Sequence, residues 1–315
     1  MIQARHPLIE LRNLHRYFGK TRAVDDISFE VYAGEVYGYI GPNGAGKTTS
    51  MRILATLDEP TFGDAFVDGF SVVDDPDRVR RRLGFMPDYF GTYENVNVRE
   101  YLDFFARAYG LRGKERSIAI DAVMEFTLLN TMVDKPINGL SKGMKQRLCL
   151  GRTMIHNPSV LILDEPAAGL DPRARIELRE MIEQLAAMKK AVLISSHILT
   201  ELAEICDKVA IIEQGKLLAS GSVAEISAQY EATSHVQIRT LSDPHPLIEW
   251  LKSRGELRDV RLAEGVVECT HDGGQEGQAQ LLRALIDAGF AIHEFSSKNR
   301  SLEDLFLHVT EGRVQ

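Results

Sequence analysis

Gly41-Pro42-Asn43-Gly44-Ala45-Gly46-Lys47-Thr48 is a complete G-x-x-x-x-G-K-[ST] run. The pattern names a ligand and a geometry together, because backbone N–H groups at a helix start cradle a nucleotide triphosphate. Gly41, Gly44 and Gly46 permit backbone angles that a Cβ would block, so consecutive amides can point into one anion-sized nest. Lys47 adds a point charge for the β- and γ-phosphates. The Thr48 hydroxyl is the expected magnesium ligand, and Thr49 is placed to reach an α-phosphate. Upstream, Glu35 to Ile40 is a short, mostly apolar run, as expected of a strand buried on both faces. Downstream, Met51, Ile53, Leu54 and Leu57 fall at roughly helical spacing. Strand, glycine loop, helix is the order that the motif needs.

The second informative stretch is Val160-Leu161-Ile162-Leu163-Asp164-Glu165. An apolar strand ending in two carboxylates delivers both to the C-terminal edge of a parallel sheet, where ligands bind in α/β folds. Asp164 would hold magnesium and Glu165 would polarise the water that attacks the γ-phosphate. About twenty residues earlier, Leu140-Ser-Lys-Gly-Met-Lys-Gln-Arg147 precedes a helix, and Ser141 with the N–H groups near Gly143 would form a second anion site. Read alone, that segment is equally a capped helix with a basic first turn.

Around these motifs the chain is ordinary for a globular protein: 315 residues, 44% apolar and 26% charged, enough for two domains. A net charge of −8 argues against a nucleic-acid partner, which usually demands a broad basic surface. Cys149, Cys206 and Cys269 are far apart without metal spacing and read as reduced core residues. No apolar run approaches the roughly 18 residues that span a bilayer, so membrane association must come through a partner.

Residues 8 to 40 alternate as antiparallel strands leading into the buried strand, and Ala65 to Phe70 and Leu83 to Pro87 add two more. Asn97 with Glu100 makes a capping-box pattern, Ser117 to Leu129 gives a second helix, and Ser141 caps a third that runs to His156. Two strand–helix units come next: Val160 to Leu163 with the helix after Pro172, and Ala191 to Ser195 with the helix Ile198 to Cys206. A hairpin from Lys208 to Gly221 turns at Gly215. From Ser234 the elements spell β-α-β-β-α-β, at 235–240, 246–254, 258–263, 265–270, 276–288 and 291–296, the order of a small ferredoxin-like α+β domain. A last helix, 302–310, is opened by Ser301 with Asp304.

Taken together, these motifs give a sequence that resembles the ATP-binding cassette (ABC) family from residue 8 to about 220. Phosphate loop, helical insert, L-S-x-G segment, hydrophobic-Asp-Glu strand, Gly169-Leu170-Asp171 and Ser195-Ser196-His197 stand in the family's order. The tail Ser301-Leu-Glu-Asp-Leu-Phe-Leu307 is similar to the C-terminal extension of single-cassette subunits serving multidrug, lipid, polysaccharide or ion exporters. The implied fold is α/β: a P-loop NTPase cassette over 1–225, with parallel core sheet, antiparallel β subdomain and a helical insert at about 90–157, then an accessory domain over 234–315.

The resemblance also implies roles. An ATPase subunit, with ATP and Mg2+, would couple closure and opening of a cassette dimer to a separate membrane permease at the inner face of the cell membrane. Each ATP would touch the phosphate loop of one copy and Ser141 with Gly143 of the other, and Asp171 would link the two sites. His197 would contact the γ-phosphate and help orient the water held by Glu165, or be a polar strand end. Phe18, or Tyr17 beside it, falls where the family stacks an aromatic ring on adenine; a core aromatic is the bland alternative. Two departures stand out. Asp88 occupies the place of a Gln that touches magnesium, and a carboxylate suits a cation while repelling a phosphate. Leu-Ser-Lys-Gly-Met replaces Leu-Ser-Gly-Gly-Gln, keeping Ser141 and Gly143 but losing the Gln at Met144. The rival readings are a soluble ABC ATPase acting on a macromolecular complex and a non-hydrolysing regulatory cassette.

Overall fold

A computed structural model describes residues 6–89, 91, 95–198, 202, 204–222, 224–226, 234–255, 257–263, 265–271 and 273–298. The chain forms two compact units that divide between Val223 and Ala224. The helix expected at 302–310, the tail from Ser301, and much of the helix expected at 198–206 lie outside the described residues.

The first unit opens with β1 (Pro7–Phe18) and β2 (Thr21–Tyr32), a long hairpin joined by β4 (Phe62–Val67) and β5 (Phe70–Ser71) in an antiparallel sheet ordered β2-β1-β4-β5. The single strand expected from Ala65 to Phe70 is two, because Asp68 and Gly69 both hold positive φ and turn the chain. The second sheet holds β3 (Val36–Ile40), β6 (Leu83–Met86), β7 (Val160–Leu163), β8 (Ala191–Ser196), β9 (Lys208–Glu213) and β10 (Lys216–Ser222). Its order is β10-β9-β3-β8-β7-β6, parallel except for the edge hairpin β9–β10. Every residue of β3 and β7 is buried, as strands covered on both faces require.

Helix α1 (Lys47–Leu54) lies between the sheets, and Met51, Ile53 and Leu54 join Ile9, Leu11, Val24, Ile27, Tyr37 and Ile162 in one core. Helix α2 (Pro76–Arg82), which no periodicity in the sequence announces, leads into β6. The insert is α3 (Val98–Ala108), α4 (Gly113–Phe126) and α5 (Lys142–Met154), with its own apolar centre around Tyr101, Leu102, Val123 and Leu148. Both reciprocal bonds of the Asn97/Glu100 capping box are present. Helix α6 (Pro172–Ala187) connects β7 to β8.

The second unit runs β11 (Ser234–Thr240), α7 (Pro244–Lys252), β12 (Leu257–Ala263), β13 (Val266–His271), α8 (Gly274–Asp287), β14 (Ile292–Lys298). Its antiparallel sheet is ordered β12-β13-β11-β14, the ferredoxin-like arrangement that the element order implied. Val236, Ile238, Leu247, Leu251, Val267, Leu281 and Leu285 form its core.

Candidate active site

Register places the chemistry. Ile40 pairs with Ser196, Leu163 with Ile194, and Met86 with Leu163, so the parallel strands end nearly level. The segments that leave these strands therefore emerge at one edge: the glycine loop after β3, Asp164 and Glu165 after β7, His197 after β8 and Asp88 after β6.

In the loop, Gly44 (φ +80°) and Gly46 (φ +106°) hold left-handed angles, and Gly46 is the N-cap residue of α1 without any side-chain cap. A Cβ on Gly46 would stand 2.2 Å from the carbonyl oxygen of Ala23, so β2 presses directly on the loop. The first amides of α1 are thus left for an anion, where the helix dipole also favours one. Lys47 is buried, and its Nζ donates to the carbonyls of Gly41 (2.6 Å) and Pro42 (3.3 Å). Its ammonium also stands 3.5 Å from Glu165 Oε1. Burial pushes the Lys47 pKa down, opposed by the charges of Glu165 and Asp164.

Asp164 is 1% exposed, and its Oδ1 accepts from Ser195 Oγ at 2.6 Å. Its carboxyl is raised above the usual range, chiefly by burial, and further by the charges of Asp88 and Glu165, while the Ser195 and Thr48 hydroxyls oppose the rise. Oδ2 is buried without a hydrogen-bond partner among the described residues. A buried carboxylate oxygen so placed suits a hard cation, and magnesium needs few protein ligands because it keeps several waters. No group of three or more His, Cys, Asp or Glu gathers as a metal cage among the described residues.

Glu165 adopts φ +47°, a left-handed conformation rare for a residue with a Cβ and frequent at functional sites. Its backbone N–H donates to Ser195 Oγ at 2.9 Å, and its Oε2 lies 2.9 Å from His197 Nδ1. Ser195 is the residue whose part in the site the sequence did not disclose. One hydroxyl fixes both the Asp164 carboxylate and the strained backbone beside it.

Of the remaining expected residues, all but Asp88 fall elsewhere. Ser141 is the N-cap residue of α5, its hydroxyl accepting from Met144 N at 3.3 Å. Gly143 lies so close to α6 that a Cβ would stand 2.9 Å from Ala174 Cβ. Asp171 caps α6, accepting from Ala174 N at 3.0 Å. Phe18 is half exposed at the end of β1, with the Arg16 guanidinium 4.5 Å over its ring, so it is no core aromatic. Tyr17 instead donates its hydroxyl to Asp25 at 3.0 Å. Asp88 is exposed just past β6. A phosphate-binding loop, a cationic lysine, an unpartnered carboxylate oxygen and a histidine-held glutamate are the parts of a phosphoryl-transfer site.

Comparison with known proteins agrees. Residues 24–168 match the family model described as ABC transporter, and residues 221–310 match that of the ATP-binding protein DrrA1-3-like, C-terminal domain. The bacitracin transport ATP-binding protein BcrA of Bacillus licheniformis is 33% identical over 97% of this chain and 98% of its own length. The Nod factor export ATP-binding protein I of Burkholderia thailandensis is 32% identical over 98% of each. A solved ATP-binding subunit of an ABC transporter is 31% identical, with a TM-score of 0.65 over 71% of this chain and 93% of that one. An ATP-binding cassette in its ADP conformation, 22% identical with a TM-score of 0.62 over 70% and 92% of the two chains, shares the fold.

Proposed function

The chain belongs to the ABC transporter family as an ATP-hydrolysing subunit, and from that premise we infer an exporter ATPase that drives a separate membrane permease. Among the described residues no helix is long and apolar enough to cross a membrane, so on this reading the subunit sits on the inner membrane face through its partner. Two copies close head to tail on two ATP molecules, with Ser141 and Gly143 of each facing the nucleotide of the other.

The observation that carries the reading is the single cluster Lys47–Glu165–His197, with separations of 3.5 Å and 2.9 Å. The phosphate-binding cation and the water-activating carboxylate share one site. Residues 41 to 46 and Lys47 hold the β- and γ-phosphates, Thr49 reaches the α-phosphate, and Phe18 lies under adenine. A water oxygen attacks the γ-phosphorus, its proton passes to Glu165, and the bond to the β,γ-bridging oxygen breaks with its electron pair leaving on ADP. His197 holds Glu165 in line and contacts the γ-phosphate. Thr48 and Asp164 would hold magnesium, and Asp88 would add a further carboxylate for the ion. The ion, when bound, neutralises charge on the phosphate oxygens.

Glu165→Gln is expected to bind ATP and dimerise while steady-state phosphate release falls by roughly 10²–10⁴-fold, the range for loss of a general base. Hydrolysis at the wild-type rate would remove Glu165 from the role assigned to it.

A further inference from the structure

Strand β8 is apolar from Ala191 to Ile194 and buried throughout, and it then places a hydroxyl, Ser195, at 1% exposure. A buried hydroxyl costs stability unless its bonds are made, so its partners show what it serves. Leu163 pairs with Ile194, which sets Ser195 beside the point where Asp164 and Glu165 leave β7. We propose that Ser195 is a positioning residue for ATP hydrolysis, holding Glu165 in the left-handed conformation that aims its carboxylate at Lys47 and His197.

Proton counting fixes the direction of the bonds. The Glu165 N–H can only donate, so at 2.9 Å the Ser195 oxygen is its acceptor. The single hydroxyl proton is then left for Asp164 Oδ1, 2.6 Å away. Asp164 thereby locks the hydroxyl rotamer, and the locked lone pair faces the Glu165 amide. Bonds in such a buried chain polarise and strengthen one another.

Glu165 needs that hold. At φ +47° a Cβ crowds the following carbonyl oxygen, and the conformation persists only where its surroundings over-determine it. Without the Ser195 hydroxyl the amide loses its acceptor, and the backbone is released toward negative φ. The Cα–Cβ bond then swings, taking the carboxylate from its places 2.9 Å from His197 Nδ1 and 3.5 Å from Lys47 Nζ. Among the described residues the hydroxyl bonds only Asp164 and Glu165 and not the glycine loop, so nucleotide binding is spared. The consequence for turnover rests on the ATPase reading above; the hold on the backbone does not.

The test compares Ser195→Ala and Ser195→Thr with wild type and Glu165→Gln in the full-length chain. Amide hydrogen exchange at Glu165, read by NMR without nucleotide, should quicken about tenfold or more in Ser195→Ala and stay close to wild type in Ser195→Thr. In steady-state phosphate release at saturating magnesium, Ser195→Ala should lower kcat by roughly 10–10²-fold at nearly unchanged KM, the scale of a misplacement of about 1 Å. Ser195→Thr, which keeps the hydroxyl, should restore kcat. Added to Glu165→Gln, Ser195→Ala should cause almost no further loss, because the group that it positions is already gone. Unchanged Glu165 exchange in Ser195→Ala overturns the hold, and a threonine variant as impaired as the alanine one overturns the hydroxyl as its cause. Faster exchange with a wild-type kcat, or an equal loss in both backgrounds, overturns the positioning role. Wild-type turnover by Glu165→Gln would instead defeat the ATPase reading, leaving the exchange result to judge the hold.

Discussion

At the carboxyl edge of the six-stranded sheet, Lys47, Asp164, Glu165 and His197 converge, and their charges are left partly uncompensated. On the largely exposed face of the C-terminal sheet, Arg239 meets Glu294 at 3.0 Å, Arg261 meets Glu268 at 2.8 Å, and Gln237 also donates to Glu268 at 3.0 Å. Both sheets carry acidic and basic side chains, yet only the first gathers them toward a ligand. Parallel strands end together, so successive loops deliver their residues to one edge. Antiparallel strands place opposite charges side by side, where they neutralise one another for about 0–1 kcal/mol each.

That contrast can be broken most forcefully at Lys47. Lys47→Ala removes the cation for the phosphates, and ATP hydrolysis should fall by roughly 10²–10³-fold, as for loss of one preorganised charge donor. Thermal unfolding of the nucleotide-free protein should barely change, because the ammonium is already destabilised by burial. A preserved rate would show that the edge is not where the phosphates sit.

In the second unit the expectation is reversed. Leu285→Ala deletes a fully buried side chain and should cost about 2–5 kcal/mol of that unit's stability, measured by hydrogen exchange, at unchanged ATPase rate per folded molecule. A loss of turnover beyond the loss of folded protein would give the second unit a part in the chemistry.

The smallest effect sharpens the comparison within the first unit. His156 stacks on Tyr109 at 3.7 Å and shares a 3.1 Å bond with the carbonyl of Leu83, and burial pushes its pKa down from 6.5 to about 4. The folded state then binds fewer protons than the unfolded chain between those values, so stability falls as pH drops through that window. His156→Gln should flatten this part of the acid limb by about 1–3 kcal/mol in denaturant titrations from pH 6.5 to 4. An unchanged acid limb would show that the ring is not held neutral.

Much of this was legible in the sequence because it is local. The glycine spacing of residues 41 to 48, the apolar run into Asp164 and Glu165, and the Asn97/Glu100 cap are each set within a few residues. The parts that escaped a sequence reading are tertiary. The left-handed Glu165 backbone depends on Ser195, thirty residues away in sequence but hydrogen-bonded in space. Asp171 was tied by resemblance to an interface, and within the chain its carboxylate caps α6. Helix α2 carries three consecutive arginines and one buried residue, Val79, too little for a periodic signal. The short β5 depends on pairing with β4 rather than on any preference of its own two residues.

The contact between Gly46 and the Ala23 carbonyl has an evolutionary corollary. The tip at Gly19 and Lys20 is exposed, and although Gly19 (φ +59°) must keep its left-handed turn, inherited change at Lys20 is cheap. Three residues further on, the same ribbon acts as a mould for the nucleotide loop, and drift in the path of Ala23 would be felt as lost ATP affinity. Tolerance and intolerance therefore lie within one hairpin, separated by less than a turn's length of chain.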